Sequence, residues 1–445
     1  MTNTSHILHG FTDLKNLDTH GAIVLNKAEG IYVYDDKGKK YLDANSGLWN
    51  SVVGFDHPKM IEAAKIQYEK FSGYHSFFGR ISEPAVLLAD KLIEISPFND
   101  GKVFFTNSGS EANDTCVKLL WFLNRRKGFK KRTKIITRIN SYHGVTVVSS
   151  SMTGKPYNSE FGLPLDGFVH APCPHYWKNS NENESEEDFS KRMAYELEEL
   201  IKKENPDTIA GFFAEPVMGA GGVIPPSQNY FELIQPILKK YNIPFIADEV
   251  ICGFGRTGNL WGSETYNINP DIIIASKCIT SGFFPLGAVI IGERMTEELM
   301  KASYEAEEFP HGFTAGGHPV ACALALQAID IIINEKLIEN VRSLEPLFMG
   351  GLKAFEDMEF IGEARGIGLM GALEMVQDKK TKQPFDSSLN MGEQVANKAI
   401  EKGLICRPLG PSIVLCPPFI TTPEEIDTMY SILKETLKEV FNNIR

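Results

Sequence analysis

Between about residues 56 and 330, short apolar runs alternate with segments of helical length. The runs are mostly continuous rather than alternating, which is typical of strands buried on both faces of a mainly parallel sheet. We expect the segments between them to form helices that cover those faces. The pattern predicts the α/β class, with strands at residues 103–106, 134–139, 209–215, 243–248, 271–276 and 286–292.

The two ends of the chain have a different pattern. Residues 30–47 predict a hairpin with a turn near residues 36–38, and the part after residue 330 mixes helices with short strands such as 366–376. We therefore expect a large domain formed by residues 56–330. A smaller α+β domain is expected from residues 1–55 and 331–445 together.

Five residues of chemical interest fall at, or just beyond, the ends of the predicted strands. They are Ser108, Tyr142, Glu215, Asp248 and Lys277. In open α/β sheets, ligands bind outside the carboxyl ends of the strands. The five residues are therefore expected to meet at one edge of the sheet.

Two of these residues, with a glycine-containing turn, predict pyridoxal phosphate (PLP) chemistry. A lysine such as Lys277 can bond covalently to the cofactor aldehyde, and a carboxylate such as Asp248 can hold the pyridine nitrogen. In residues 106–112 (TNSGSEA), a helix start offers free N–H groups to a phosphate. Gly109 permits close approach there, and the Ser110 hydroxyl adds a further hydrogen bond.

Each of these features also has an ordinary structural explanation. The turn could be a plain helix N-cap, Asp248 a capping residue and Lys277 a surface lysine. Tyr142 either stacks on a cofactor ring or is a core aromatic. Arg407, between apolar residues, either binds a carboxylate or forms a surface salt bridge. The functional interpretation depends on their convergence.

Several other functions receive little support. The sequences at 253–258 (GFGRTG) and 366–371 (GIGLMG) do not open a long helix after a strand, as a dinucleotide site requires. There is no P-loop motif, and no His or Cys spacing typical of a metal site. We therefore expect no metal, and no nicotinamide, flavin or P-loop nucleotide site.

The charge and the cysteines bear on partners and location. The net charge is −12, without a continuous basic run, so we expect no binding to nucleic acid or to an anionic membrane. No apolar run is long enough to span a bilayer. The seven cysteines form no CxxC pair and the N-terminal residues contain no apolar signal core, which favours reduced thiols in the cytoplasm.

From about residue 30 to 418, the chain resembles the class III (omega) aminotransferases, which are PLP enzymes of fold type I. The resemblance is carried by TNSGSEAN, NSYHG, AEPVMGAGG, ADEVICGFGRTG, SKCITSGFFPLGA, HGFTAGGHP and RPLG. Within that family, GLWNSVVG, YHSFFGR and EPVMGAGGVIPP make it most similar to the pyruvate-accepting branch. That branch includes plant-type GABA:pyruvate and bacterial omega-amine:pyruvate enzymes.

The resemblance implies a role for each matching residue. Lys277 would hold the cofactor covalently and then move a proton between the substrate carbon and the cofactor carbon. The implied cofactor-binding residues are Asp248 at the pyridine nitrogen, Tyr142 and Val250 on the two ring faces, and Gly109 and Ser110 at the phosphate. Thr314 would reach the phosphate of the neighbouring subunit, which implies a homodimer with a shared active site.

The substrate side is implied in the same way. Trp49, Phe77 and Tyr142 would form the pocket wall, and Arg407 would bind the α-carboxylate of pyruvate or alanine. Many relatives have a glutamate, paired with that arginine, where this chain has Ala220. Arg407 is therefore expected to be free to swing, which favours both a carboxylated keto acid and an uncharged amine.

The sequence thus predicts ping-pong transfer of an amino group from an omega-amino acid or amine to pyruvate, giving L-alanine and an aldehyde or ketone. β-Alanine, GABA, taurine, putrescine and arylalkylamines all remain possible donors. The alternatives are a 2-oxoglutarate-using aminotransferase, or a decarboxylase, epimerase or aminomutase of the same fold. A PLP-holding protein without turnover and a structural α/β dimer also remain open.

Overall fold

The computed structural model describes residue 4, residues 6–227 and residues 229–444. The strands, in chain order, are β1 (Leu25–Glu29), β2 (Tyr32–Asp35), β3 (Lys40–Asp43), β4 (Gly101–Thr106), β5 (Lys134–Arg138), β6 (Phe168–Ala171), β7 (Ile209–Ala214), β8 (Phe245–Asp248), β9 (Ile272–Ala275), β10 (Gly287–Gly292), β11 (Ile361–Ile367), β12 (Met370–Met375), β13 (Leu404–Ile405), β14 (Arg407–Leu409) and β15 (Ser412–Leu415). The α-helices are α1 (Leu14–His20), α2 (Ser46–Trp49), α3 (Pro58–Lys70), α4 (Glu83–Glu94), α5 (Gly109–Arg126), α6 (Val147–Met152), α7 (Tyr176–Asn179), α8 (Glu186–Glu204), α9 (Tyr230–Lys240), α10 (Gly262–Thr265), α11 (Glu293–Glu305), α12 (Pro319–Asn334), α13 (Leu337–Lys353), α14 (Met391–Glu401) and α15 (Pro423–Asn442).

The largest sheet of the described residues has seven strands in the order β4-β10-β9-β8-β7-β5-β6. The pairs β9–β8, β8–β7, β7–β5 and β5–β6 are parallel. Strand β10 is antiparallel to both β9 and β4, so β4 points the same way as the parallel strands. The carboxyl ends of β4, β5, β7, β8 and β9 therefore lie at one edge, as an α/β fold with a mainly parallel sheet requires.

The central strands are apolar because water reaches neither face of the sheet. Every residue of β7, β8, β9 and β10 is buried. Their side chains pack against helices, for example α5, which contacts β4, β7, β9 and β10. All six strands that the apolar runs predict are present, and the fold class is confirmed. Strand β6 was not predicted.

The two ends of the chain meet in smaller sheets. The predicted hairpin is present as β2 and β3, and β3 also pairs in parallel with β13, which comes from the C-terminal part. A second sheet has the order β11-β12-β15-β14. The predicted division at 55/56 and 330/331 stays a prediction, and helix α12 runs through the second of these boundaries.

Neither glycine motif set aside in the sequence begins a long helix. Residues 366–371 cover the end of β11, a two-residue turn and the start of β12, and residues 253–258 form consecutive turns after β8. Within the described ranges, every helix is too short or too polar to cross a bilayer.

Candidate active site

A cavity of about 270 Å³ lies at the carboxyl edge of the central sheet. All five residues that end the predicted strands line it, so the predicted convergence is observed. The wall is formed by Leu48, Trp49, Ser108, Gly109, Ser110, Tyr142, His143, Gly144, Glu215, Ala220, Asp248, Val250, Ile251, Ser276, Lys277 and Arg407.

Lys277 begins a 3₁₀ turn, Lys277–Thr280, directly after β9. Its φ of 47° is left-handed, which is unfavourable for a residue with a Cβ and is found where function requires a fixed direction. Its amino group makes no hydrogen bond or ion pair to the residues that the structure describes. Burial lowers the pKa of Lys277, while the charge of Asp248 opposes that shift. A lowered pKa increases the fraction of neutral, nucleophilic amine.

Asp248 is 3% exposed at the end of β8. Its Oδ2 lies 2.7 Å from His143 Nδ1 and accepts a hydrogen bond of 3.0 Å from Asn113 Nδ2. His143 Nε2 is buried without a partner. These contacts keep the carboxylate in place beside the cavity. Neither Asn113 nor a role for His143 was predicted from the sequence, although the two residues lie inside the motifs TNSGSEAN and NSYHG.

The start of α5 forms another part of the cavity wall. Ser108 caps the helix by accepting a hydrogen bond from the Glu111 N–H at 3.2 Å. The N–H groups of Gly109 and Ser110 make no hydrogen bond to the described residues, and Ser110 Oγ accepts from Val145 N at 3.1 Å. Free amides at a helix N-terminus favour a phosphate.

Gly109 is required by close packing. A Cβ at this position would lie 2.9 Å from a methyl group of Val250. Val250 therefore borders the same narrow space as the helix start. On the cavity wall, Tyr142 is fixed through its backbone, because its N–H donates to Glu215 Oε1 at 3.0 Å.

Trp49, from the N-terminal part of the chain, and Arg407, from the C-terminal part, also line the cavity. Trp49 is 1% exposed with a φ of 63°, and its Nε1 donates to Asn45 Oδ1 at 2.6 Å. The guanidinium carbon of Arg407 lies 4.8 Å from the centre of the Trp49 ring. Arg407 makes no ion pair with the described residues, and its neighbour on the wall, Ala220, offers no charge.

Two predicted site residues do not line this cavity. Thr314 is exposed in the segment between α11 and α12. The ring of Phe77 packs on Gly312 in that same segment, since a Cβ on Gly312 would lie 2.6 Å from Phe77 Cζ. The structure thus brings Phe77 close to the segment that carries Thr314, and keeps both off the wall that carries Lys277.

The donor set of the cavity fits PLP. Free amides at a helix start suit its phosphate, a buried carboxylate suits its pyridine nitrogen, and a partly buried lysine without a partner among the described residues suits its aldehyde. The fold and these side chains define a PLP-dependent enzyme.

Comparison with known proteins gives the family. The model of the aminotransferase class-III family matches residues 15–437. The chain belongs to the class III aminotransferases, and it is a PLP-dependent transaminase that moves an amino group between an amine and a keto acid.

Relatives and solved structures agree with this assignment. The chain is 45% identical to a tomato protein named gamma aminobutyrate transaminase 3, chloroplastic, over 95% of this chain and 82% of that protein. A PMP-bound aminotransferase from Vibrio fluvialis is 60% identical, with a TM-score of 0.98 over 99% and 97% of the two chains. An omega-aminotransferase from Paracoccus denitrificans is 59% identical, with a TM-score of 0.98 over 99% and 98%.

Proposed function

We propose that this transaminase takes its amino group from an omega-amino acid or a simple amine and passes it to pyruvate, forming L-alanine. The names of its relatives, which include gamma aminobutyrate transaminases and an omega-aminotransferase, support the donor class. The proposed acceptor is supported by Arg407, which makes no ion pair with the described residues and lies on the same wall as Lys277.

The position of each residue in the cavity supports a particular role in the reaction. PLP, when bound, would supply an aldehyde that is reactive toward amines and a ring that withdraws electrons. Lys277 moves the proton at the reacting carbon, because its amine is on the cavity wall directly after β9 and its lowered pKa favours the neutral base. Asp248 would face the pyridine nitrogen. Gly109 and Ser110 would hold the phosphate, and Tyr142 and Val250 would hold the ring.

Arg407 is the observation that carries the choice of acceptor. A guanidinium binds a carboxylate through two parallel hydrogen bonds, and an unpaired one on a cavity wall is ready for this. The guanidinium of Arg407 lies over the face of Trp49, a contact that the side chain can exchange for a carboxylate. When the substrate is an amine without a carboxylate, the Arg407 side chain can stay over the Trp49 ring.

We further propose a homodimer in which Phe77 and Thr314 serve the partner's site. Both lie off the wall that carries Lys277, and Phe77 packs against the segment that carries Thr314. Nearby aromatic side chains are exposed, Phe78 by 84% and Tyr74 by 43%, which is typical of a surface covered in an assembly. The cytoplasm is the proposed location, supported by the free and buried state of all seven cysteines.

The visible absorption spectrum of the purified enzyme tests the proposed function. We expect a yellow protein that bleaches with an omega-amino acid or amine and recovers its colour with pyruvate. Recovery with 2-oxoglutarate but not with pyruvate would contradict the proposed acceptor. Bleaching by no amine would contradict the donor class.

Replacement of Lys277 by alanine is the matching variant. We expect Lys277→Ala to bind PLP without the absorption of the lysine-linked form and to lose turnover, because no other amine on the wall can move the proton. Substantial residual transamination in this variant would reject the role of Lys277.

A further inference from the structure

The cavity that holds Lys277 opens into a larger one. This outer cavity has a volume of about 730 Å³ and shares Leu48, Tyr142, Ala220 and Arg407 with the inner cavity. A donor whose amino group reaches Lys277 can therefore extend its other end into the outer cavity. The groups on the outer wall decide which ends are accepted.

Lys155 is on that outer wall and has no partner. It is partly buried, and its ammonium group makes no hydrogen bond or ion pair to the described residues. Its backbone is fixed, since its N–H donates to Thr153 O at 2.9 Å and its carbonyl accepts from Asn158 N at 3.3 Å. A partly buried ammonium without a counter-ion is unfavourable unless an anion joins it.

The other cation buried on this wall is already neutralised. Arg365 bonds to Glu363 at 2.7 Å and to Glu374 at 2.8 Å. Arg407 has no ion pair, so the cavity contains two partly buried cations, Lys155 and Arg407, that lack a counter-ion among the described residues. The acidic side chain on the wall that makes no ion pair there, Glu393, is exposed.

Lys155 and Arg407 affect each other. Burial lowers the pKa of Lys155; Glu215 and Cys173 oppose the shift, and Arg407 and Lys178 add to it. An anion placed between two such cations relieves both the burial of Lys155 and its repulsion by Arg407. The outer cavity is therefore built for a negatively charged group.

We propose that Lys155 binds the distal carboxylate or sulfonate of an omega-amino acid donor, while Arg407 binds the carboxylate of the keto acid. This assignment rests on the transamination proposed above. In a keto acid such as pyruvate the carboxylate is attached to the reacting carbon. In an omega-amino acid it is at least one carbon farther away, so one fixed cation does not serve both substrates equally.

Lys155→Met tests the assignment, with Lys178→Met as the matched control. Lys178 lines the same cavity but is exposed, and the substitution removes the same charge. The donors are β-alanine and n-propylamine, which have the same length and differ in the distal carboxylate. Bleaching is followed in single turnovers without a keto acid, so the Arg407 interaction with the acceptor does not contribute.

We expect Lys155→Met to lower the ratio of the kcat/KM for β-alanine to that for n-propylamine about tenfold, the worth of one charged hydrogen bond. Lys178→Met should leave the ratio unchanged, and Lys155→Arg should retain most of it. An equal loss with both donors, or an equal effect of Lys178→Met, would overturn the assignment. A wild-type enzyme that accepts n-propylamine but not β-alanine would overturn it as well.

Calorimetric binding of propanoate to the holoenzyme separates this inference from the proposed function. Propanoate has the carboxylate but no amino group, so its binding needs no transamination. Weaker binding to Lys155→Met than to Lys178→Met supports the anion site even if neither amine bleaches the enzyme. Equal affinity for both variants would reject the site while leaving the transaminase assignment intact.

Discussion

Asp248 shows how a single residue is prepared for its task by neighbours from distant parts of the chain. A carboxylate that is 3% exposed is unfavourable unless hydrogen bonds compensate for the loss of water. His143, from the loop after β5, and Asn113, from α5, both meet its Oδ2. The carboxylate can therefore keep one direction without a bound ligand.

We predict that His143→Ala weakens PLP binding and destabilises the fold. The variant removes one of the two side chains that contact Asp248 Oδ2, and loss of such a buried hydrogen bond costs about 1–3 kcal/mol. Urea unfolding and PLP titration of the apoenzyme measure both effects. His170→Ala is a control, since His170 bonds to Met152 O instead. Unchanged PLP affinity in His143→Ala would refute the positioning role.

A second residue-scale prediction concerns pH. Glu249 is fully buried and accepts hydrogen bonds from Gly262 and Ser263, yet burial raises its pKa to about 7. Because the folded pKa exceeds the unfolded one, the unfolded chain loses its proton first as pH rises. The contribution of Glu249 to stability is therefore present below the unfolded pKa, near 4.5, and is lost as pH rises to about 7.

The pH dependence of urea unfolding measures this contribution. We expect Glu249→Gln to be less stable overall, because an amide NH₂ cannot accept from these donors. Its stability should nevertheless vary less between pH 4.5 and 7 than that of the wild type. If the free energy of unfolding changed equally with pH in both proteins, a group other than Glu249 would be the cause.

At the scale of elements, the turn after Lys277 is tied to the segment that carries Trp49. Ser281 Oγ accepts hydrogen bonds from the N–H groups of Val52 at 2.9 Å and Val53 at 3.0 Å. Cys278 Sγ lies 3.7 Å from Trp49 O. These contacts thus hold the turn after Lys277 against the segment that carries Trp49, although the two are far apart in the sequence.

We predict that Ser281→Ala lowers the free energy of unfolding by about 2–4 kcal/mol, because two buried amides lose their acceptor. Its KM for amines should also rise, since Trp49 loses its support. Ser343→Ala, at an exposed helical position, should change stability by about 0.5 kcal/mol or less. A stable Ser281→Ala with an unchanged KM would contradict the link between the two elements.

The elements that the sequence predicted are those with one dominant signal. Strands such as β9, with the sequence IIIA, follow from continuous burial alone. Strand β6, with the sequence FVHA, is short and contains a histidine, so its burial pattern is ambiguous. The contact between His143 and Asp248 requires the order of the strands in the sheet, which no local pattern contains. The edge position of Asp248 and Lys277 was predictable, and the side-chain partners of Asp248 were not.

At the scale of the whole molecule, the proposed shared site makes each subunit depend on the other. A glutamate at position 314 should repel the partner's phosphate, so Thr314→Glu and Lys277→Ala are each expected to be inactive. In a mixed dimer, one site would combine an intact Lys277 with an intact Thr314. Refolding equal amounts together should restore about a quarter of the wild-type activity, since half of the dimers are mixed and each has one good site.

Mass spectrometry of differently tagged subunits checks that mixed dimers form. Each variant refolded alone is the control and should stay inactive. Mixed dimers without activity would show that Thr314 acts within its own subunit or not at all. Activity in Thr314→Glu alone would show that this residue does not meet the phosphate.

The pairing of β3 with β13 has a consequence for folding during synthesis on the ribosome. Lys39, just before β3, donates to Ile400 O, 361 residues later in the chain. At a synthesis rate of about 5–20 residues per second, the hairpin of β2 and β3 is synthesised roughly 20–70 seconds before that partner. During this interval the open edge of β3 can recruit other nascent chains. The yield of native enzyme is therefore sensitive to elongation speed and to chaperones that shield this edge.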